Sequence, residues 1–508
     1  MISKNKILSL DELEKVARSL QSDGNSIVMC HGTFDLLHAG HIRHLQRARQ
    51  EGEVLIVTVT GDEYVNKGPG RPVFTEGLRA ESLAALDCVD FVGINQTQTA
   101  INLIARIRPN VYVKGSEYSN ESSDVTGNIE REREAVESNN GKIFYTDEIT
   151  FSSSNLLNEH FGMFTPETKS YLQALRNSYT YTDVIEQVKS LSSLNLLVVG
   201  DAIIDQYHYI KTLGQVGKGT ALAVKYESEE QFAGGSIAVA NHLAGFVDAV
   251  TLVTGLGKLE SHEEFIRTKL LKNVVPTFFF TSEDRTVTKR RFVDADFNKL
   301  FEVYFCGDDP IHKNAEEEIC LWLEENLNKF DVVIVPDFGN GFISDAMIEV
   351  LCRKARYLAV NTQINSGNRG YHVINRYPRV DFASINEPEL RLAAHNRNDQ
   401  VEIVVETIGE KIRCAHIAVT RGPNGVILFD RKSNVSHCVP ALSSKVLDRI
   451  GAGDAFLSLA GVCLGGKLPA DIAAFVGSVA AALDVQIICN REPISQSGLL
   501  KYITTLLK

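Results

Sequence analysis

Residues 31–41, His31-Gly32-Thr33-Phe34-Asp35-Leu36-Leu37-His38-Ala39-Gly40-His41, decide how the first half of the chain is read. They follow an apolar run, Ser26-Ile27-Val28-Met29-Cys30, that reads as a buried parallel strand. They precede Ile42 to Gln50, where Leu45 and Ala48 among basic and polar residues read as a helix. Strand, glycine-bearing turn and helix start form the anion-binding arrangement of an open α/β sheet, because backbone N–H groups and the positive helix end point into one crevice. His38 and His41 can both donate to phosphate oxygens from this turn. The competing readings are a pair of turn-capping histidines or half a zinc site, and the latter lacks a partner Cys or His cluster nearby.

Working outward, the first half alternates strand and helix. Leu8 to Leu20 reads as an amphipathic helix capped by Ser9, and Val54 to Thr60 is a near-continuous β-branched strand of the kind found in covered parallel sheets. Helix Arg79 to Leu86, strand Phe91 to Ile94, helix Ala100 to Ile107, strand Val111 to Val113, polar helix Ile129 to Ser138 and strand Lys142 to Tyr145 complete the pattern. Repeated βα units predict a doubly wound parallel sheet. Lys67-Gly68-Pro69-Gly70-Arg71-Pro72 is a cationic loop able to fold over a triphosphate, or an ordinary Gly-Pro turn. Arg79, at an expected helix start, opposes the helix dipole there unless a phosphate lies close. Lys114 ends a strand at the ligand-binding edge. Ser152, Ser153 and Ser154 precede an apolar helix whose free amides would hold phosphate, or simply cap it. Glu130 to Glu134 alternates charge and reads as a solvated helix face.

At 508 residues the chain accommodates two or three domains. Its net charge of −12 excludes a general basic field for nucleic acid or an anionic membrane, so phosphate ligands must be held locally. Nine scattered cysteines without a Cys-x-x-Cys pair suit reduced thiols in a cytoplasm. No apolar run reaches membrane-spanning length.

Taken as an ordered set, the motifs between residues 24 and 160 resemble the cytidylyltransferase-like nucleotidyltransferases, most closely the adenylyltransferases of ADP-heptose synthesis. The resemblance implies that Gly32, Thr33, Phe34, Arg79, Lys114 and Ser152–Ser154 bind nucleotide and phosphates, and that His38, His41 and Lys67 assist catalysis. The reaction it implies is attack of a sugar 1-phosphate on the α-phosphorus of ATP or CTP, expelling pyrophosphate, with Mg²⁺ on the triphosphate. Thr33 also occurs in the glycerol-phosphate-type cytidylyltransferases, which leaves adenine and cytosine both open.

From Gly162 to Asn195 the pattern turns to polar helical stretches, expected as a helical linker over 163–190 between a first domain at 1–162 and a second at 191–508. Leu196 to Asp201 starts a second α/β domain. Leu222, Val224 and Tyr226 alternate with polar neighbours, as in the exposed strand of a lid, and Gly234-Gly235-Ser236 opens a helix through Asn241. Near the end stands Asp448-Arg449-Ile450-Gly451-Ala452-Gly453-Asp454, where Gly451, Ala452 and Gly453 before an apolar helix make an anion hole. The helix end is expected to keep Asp454 ionised near neutral pH, fit to take a proton from a sugar hydroxyl. The competing reading is an Asp that merely caps a helix.

Residues 190–508 resemble the ribokinase-like sugar kinases, closest to heptose 7-phosphate kinases, in Gly200-Asp201 with Asp205, Gly234-Gly235 with Asn241, Thr288-Lys289, Asn386-Glu387-Pro388-Glu389, Thr420-Arg421-Gly422 and Gly451–Asp454. The resemblance implies Asp454 as base, with Thr420, Gly422 and the Gly451–Gly453 amides on the nucleotide. It places Asp201, Asp205, Gly234, Gly235 and Asn241 on the sugar, and Asn386 and Glu389 indirectly on Mg²⁺. Three family cations are replaced by Gln206, Asn340 and Gln363. The fold class expected is α/β: an N-terminal Rossmann-like domain and a C-terminal ribokinase-like domain with a small β lid. The leading functional expectation is a cytoplasmic bifunctional kinase and nucleotidyltransferase that takes a sugar phosphate and a nucleoside triphosphate, dimeric through its lid. The alternatives are a cytidylyltransferase fused to a kinase for another sugar, or to a silent sugar-binding module.

Overall fold

The computed structural model describes residues 6–65, 71–97, 99–116, 128–146, 164–307, 311–368, 370–443 and 445–508. These form two compact units, Met1–Thr165 with Leu500–Lys508, and Pro166–Leu499.

The first unit is built on strands β1 (Ile7–Leu8), β2 (Ile27–Gly32), β3 (Val54–Thr60), β4 (Phe91–Asn95), β5 (Val111–Gly115) and β6 (Lys142–Thr146). They form one sheet in the order β1-β4-β3-β2-β5-β6, every pairing parallel. Helices α1 (Leu10–Ser22), α2 (Ala39–Arg49), α3 (Glu76–Ala84), α4 (Ile101–Ile107) and α5 (Asn128–Glu137) connect them. Both sheet faces are covered, which is why β3 is buried along its whole length. Alternate residues of β2 enter separate apolar clusters, Val28 and Cys30 on one face, Ile27 and Met29 on the other. The strand order reverses at β2, between β3 and β5, so the crevice of the sheet opens where His31-Gly32 leaves β2. Ser9 caps α1 in a reciprocal box with Glu12, as its sequence spacing indicates.

In the second unit two helices, α6 (Pro166–Ser178) and α7 (Tyr181–Lys189), lie in the stretch expected as linker, and both belong to this unit. A nine-stranded sheet follows, in the order β11-β10-β7-β14-β15-β16-β17-β18-β19. Its central strands β7 (Leu196–Val199) and β14 (Val332–Asp337) are entirely buried. Parallel pairing runs from β11 (Val274–Ser282) through β10 (Val250–Gly257), β15 (Leu358–Thr362) and β16 (Phe382–Asn386) to β17 (His416–Thr420). It turns antiparallel at β18 (Val426–Asp430) and β19 (Val435–Val439). A separate sheet, β13-β12-β8-β9, is the lid expected around Leu222–Tyr226. It comprises β8 (Ala202–Gln215), β9 (Leu222–Gly235), β12 (Thr288–Val293) and β13 (Lys299–Phe305). Leu222 and Tyr226 are 49% and 55% exposed, as their alternation implies. Helix α8 (Ser236–Ala244) starts at Gly235, where φ is 63°. Helices α14 (Ala452–Gly465) and α15 (Ala470–Asp484) pack together near the chain's end, after α9 (Glu263–Lys269) to α13 (Val401–Lys411) between the strands. Among the described residues, no helix is long and apolar enough to cross a membrane.

Candidate active sites

In the first unit, the turn after β2 delivers His38 as the N-cap of α2, its Nδ1 accepting the Gly40 N–H at 3.1 Å. A nitrogen that accepts carries no proton, so this bond assigns the ring proton to Nε2. The Nδ1 of His41 donates to the Leu36 carbonyl at 3.2 Å. The two rings stack with centroids 4.1 Å apart. Two imidazolium charges at that distance repel, and burial lowers the His38 pKa, so His38 works as the neutral ring. Phe34 has φ 48° and sets its ring edge-on to His41 at 5.3 Å, while Gly32 leaves room beneath that ring. Asp35 accepts the Val73 and Phe74 amides at 2.7 and 3.2 Å and pairs with buried Arg71 at 3.1 Å, pinning the next loop to the turn.

Two expectations fail here. Arg79 is not at a helix start: α3 begins at Glu76, and the guanidinium is buried. Its Nη1 donates to the Thr33 carbonyl at 2.6 Å, Nη2 to the Thr60 carbonyl at 2.7 Å and Asp62 at 2.6 Å, and Nε to the Phe74 carbonyl at 2.9 Å. A guanidinium engaged with four partners ties the turn after β2 to β3 and to the loop before α3. Glu132 is not on a solvated face either. It is buried, accepting the Tyr112 hydroxyl at 3.2 Å and pairing with Lys114 at 2.8 Å, so the expected phosphate cation is engaged by a carboxylate. Lys67, Ser152, Ser153 and Ser154 lie outside the described residues.

In the second unit, parallel register brings strand ends to one sheet edge. Asp337 pairs with Thr362 and Asn386 with Thr420, and Asp201 follows β7. Asp201 accepts the Phe338 and Phe342 amides at 3.0 and 3.4 Å, and burial, with Asp337 nearby, pushes its pKa up to about 6. Asn386 and Glu389 cap helix α12 (Glu387–Ala393) in a reciprocal box, and Glu389 also accepts the Ile364 amide at 3.0 Å. Thr420 closes β17, and Gly422 lies exposed just beyond it with φ 55°. Asn241, expected on the sugar, has both ends of its amide occupied: it donates to the Lys269 carbonyl and accepts the Leu271 amide, each at 3.0 Å. These two bonds fasten the turn at Lys269–Leu271.

Gly451 caps α14 with φ 102°, and a Cβ there would lie 2.7 Å from Asp484 and 2.8 Å from Asn490. Only glycine leaves this helix start in shape, with residues 451–453 at its N-terminal end and Asp454 in its first turn. The helix end does not keep Asp454 fully ionised. Burial, then the charge of Asp205, pushes its pKa up to about 7, and Lys289 only partly offsets this. Desolvation and a like charge shift a carboxylate by several units, whereas a helix end contributes about 1 kcal/mol. Asp205 is itself buried in an ion pair with Arg291, which also binds Glu302 at 2.9 Å. Gly234 is glycine because a Cβ would collide with the Asp205 carboxylate, and Gly235 because one would strike the Asp201 carbonyl. Lys289 stood in the Thr288-Lys289 pair of the resemblance without a role, and Arg291 and Tyr207 were missed. The signal for those two is alternation along β8 and β12, which aligns Asp205 with Lys289 and Tyr207 with Arg291.

A model of the pfkB family carbohydrate kinases matches residues 193–492, more than half of the chain. The chain belongs to that family. The helix start at Gly451–Gly453 and Asp454 fall within the matched span, and a cytidylyltransferase-like model matches residues 29–160, which contain both stacked histidines. The "Bifunctional protein HldE" of Geotalea uraniireducens is 42% identical over 143 residues, 28% of this chain and 28% of that protein. The protein of the same name from Trichlorobacter lovleyi is 34% identical over 171 residues, 32% and 33% of the two chains. The chain thus spans about a third or less of the length of the curated relatives it matches. Among solved structures, ribokinase from Thermotoga maritima aligns with 60% of this chain and 98% of its own, at 18% identity and a TM-score of 0.47.

Proposed function

We propose that the chain is a bifunctional enzyme of nucleotide-activated sugar synthesis, phosphorylating a sugar phosphate of the heptose 7-phosphate kind in one unit and transferring a nucleotidyl group to a sugar 1-phosphate in the other. What supports this reading is two separate glycine-bearing helix starts, each beside side chains able to handle a proton: Gly451–Gly453 with Asp454, and the α2 start with His38 and His41.

In the kinase, Asp454 takes the proton of the attacking sugar hydroxyl. The freed oxygen attacks the γ-phosphorus of ATP, and ADP leaves. The 451–453 amides stabilise the charge spread over the transferring group, and Lys289 beside Asp454 and Asp205 adds a cation. In the transferase, a phosphate oxygen of the sugar 1-phosphate attacks the α-phosphorus of ATP, or of CTP, and pyrophosphate leaves. No protein nucleophile is required, and the Nε2–H of His38 donates to a phosphate oxygen. Among the described residues no cluster of three or more His, Cys, Asp or Glu side chains could form a metal cage. Mg²⁺ would be carried by the nucleotide phosphates, whose charge it would neutralise. Glu389, whose oxygens already accept amide protons, would meet it through its hydration shell.

Cys30, Cys414, Cys463 and Cys489 are buried free thiols, which supports a reducing cytoplasm. The exposed Leu222, Tyr226, Phe301 and Val303 of the lid supply an apolar face for a second copy, so sedimentation should give a dimer that Tyr226→Glu dissociates.

Phosphorus NMR tests the reading, with Mg²⁺, ATP or CTP, and a panel containing heptose 7-phosphate and separately supplied sugar 1-phosphates. A new anomeric phosphate signal from the 7-phosphate, and pyrophosphate from a 1-phosphate, are expected. Pyrophosphate release with no sugar phosphorylated would leave a transferase joined to a silent kinase fold.

A further inference from the structure

The lid sheet and the anion-hole loop meet at one carboxylate. Buried Asp448 accepts four hydrogen bonds: from the Tyr207 hydroxyl and the Lys299 ammonium at 2.6 Å each, and from the Ile450 and Cys489 amides at 3.1 Å each. Tyr207 belongs to β8 and Lys299 begins β13, so half of these bonds come from the lid. The Lys299 ammonium also lies 5.5 Å from the Tyr207 ring centroid. Burial alone would raise the Asp448 pKa, but Lys299 and Tyr207 outweigh it and hold the group below the ordinary carboxylate range, so it stays charged. Through the Ile450 amide, this carboxylate fixes the chain immediately before Gly451.

We propose that Lys299 is a positioning residue for phosphoryl transfer: from the lid it holds Asp448, and through Asp448 it aims the 451–453 amides at the transferring group. This rests on the kinase reading above. The lid therefore reports its position to the anion hole. When β13 draws away, Asp448 loses its only cationic hydrogen-bond partner among the described residues, and the loop before α14 slackens. Removing one partner of such a pair leaves the other buried and uncompensated, which favours rearrangement of the loop over passive loss of one contact.

The test uses the full chain with Lys299→Ala and Lys299→Arg, measured two ways. By hydrogen exchange, the Ile450 and Cys489 amides should exchange at least about tenfold faster in Lys299→Ala and near the wild-type rate in Lys299→Arg. By turnover, kcat for sugar phosphorylation should fall about 10- to 100-fold in Lys299→Ala, with KM for ATP and sugar within about threefold, because the defect is in aiming and not in binding. Added methylamine should restore about tenfold of that loss by returning an ammonium to Asp448, which no general loosening of the fold would do. Unchanged exchange at Ile450 and Cys489 overturns the proposal, even if the wild type phosphorylates nothing. Raised exchange with a wild type inactive on every sugar overturns the catalytic role through the kinase reading itself. A loss of turnover confined to KM, or indifferent to methylamine, overturns the positioning role alone.

Discussion

Arg79→Met separates a phosphate clamp from a structural tie. Methionine keeps the length and apolar stem of the side chain, so packing beside Ala80, Leu83 and Ala84 is largely preserved, but the guanidinium is lost. Three carbonyls, of Thr33, Thr60 and Phe74, lose a charged donor, and Asp62 loses its ion pair. Deleting one partner of a buried ionic network costs about 3–5 kcal/mol, and about 4 kcal/mol is expected here because Asp62 can turn to water. In a unit of this size that corresponds to a fall in melting temperature of roughly 10 °C. The assay is thermal unfolding monitored by hydrogen exchange of the β2 and β3 amides, which report this unit. At low temperature, where the variant stays folded, nucleotide affinity should change less than about threefold. A melting temperature within about 1 °C of wild type together with a large loss of nucleotide affinity would refute the structural role.

Sugar phosphorylation should depend on pH through Asp454. The base must be ionised to accept a proton, so kcat/KM should fall about tenfold per pH unit below its pKa of about 7 and level off above it, and a profile flat from pH 5 to 8 would contradict this. The same shift makes the carboxylate a liability to the fold: the stability present in its protonated form is lost as pH rises through about 7, so Asp454→Asn should melt higher than wild type at pH 8. Gly451→Ala should cost about 3 kcal/mol, from backbone strain and the approach to Asp484 and Asn490, and should cut phosphorylation at least about a hundredfold without touching pyrophosphate release. Asn386→Ala should cost about 1 kcal/mol by denaturant titration through loss of the α12 cap.

The parts of the chain legible beforehand are those in which neighbours in sequence are neighbours in space. The turn from β2 into α2, the Ser9–Glu12 capping box, the Gly234-Gly235 entry to α8 and the Gly451–Gly453 helix start are each complete within a few residues, so spacing alone reports them. For Arg79 and Glu132, position in the helix outweighs residue type. Arg79 recurs with Leu83, and Glu132 with Ile129 and Val136, at spacings that put each charge on the buried stripe of its helix. A charge on such a stripe signals a buried partner. The turn-fastening bonds of Asn241 had no local signal, since α8 is buried all round and they reach the turn at Lys269–Leu271. The contacts of Lys299 and Tyr207 with Asp448 had no local trace at all. They join residues 149 and 241 positions apart, and only the lid sheet brings them together.

The proposed function is two independent reactions in one chain. Its most direct test is a phosphorus NMR time course on wild type, Asp454→Asn and His41→Ala, each supplied with Mg²⁺, nucleoside triphosphate, a sugar phosphate and a sugar 1-phosphate. Asp454→Asn should lose sugar phosphorylation by at least about a thousandfold and still release pyrophosphate, while His41→Ala should do the reverse. Loss of both activities in either folded variant, or pyrophosphate release by His41→Ala at the wild-type rate, would contradict it.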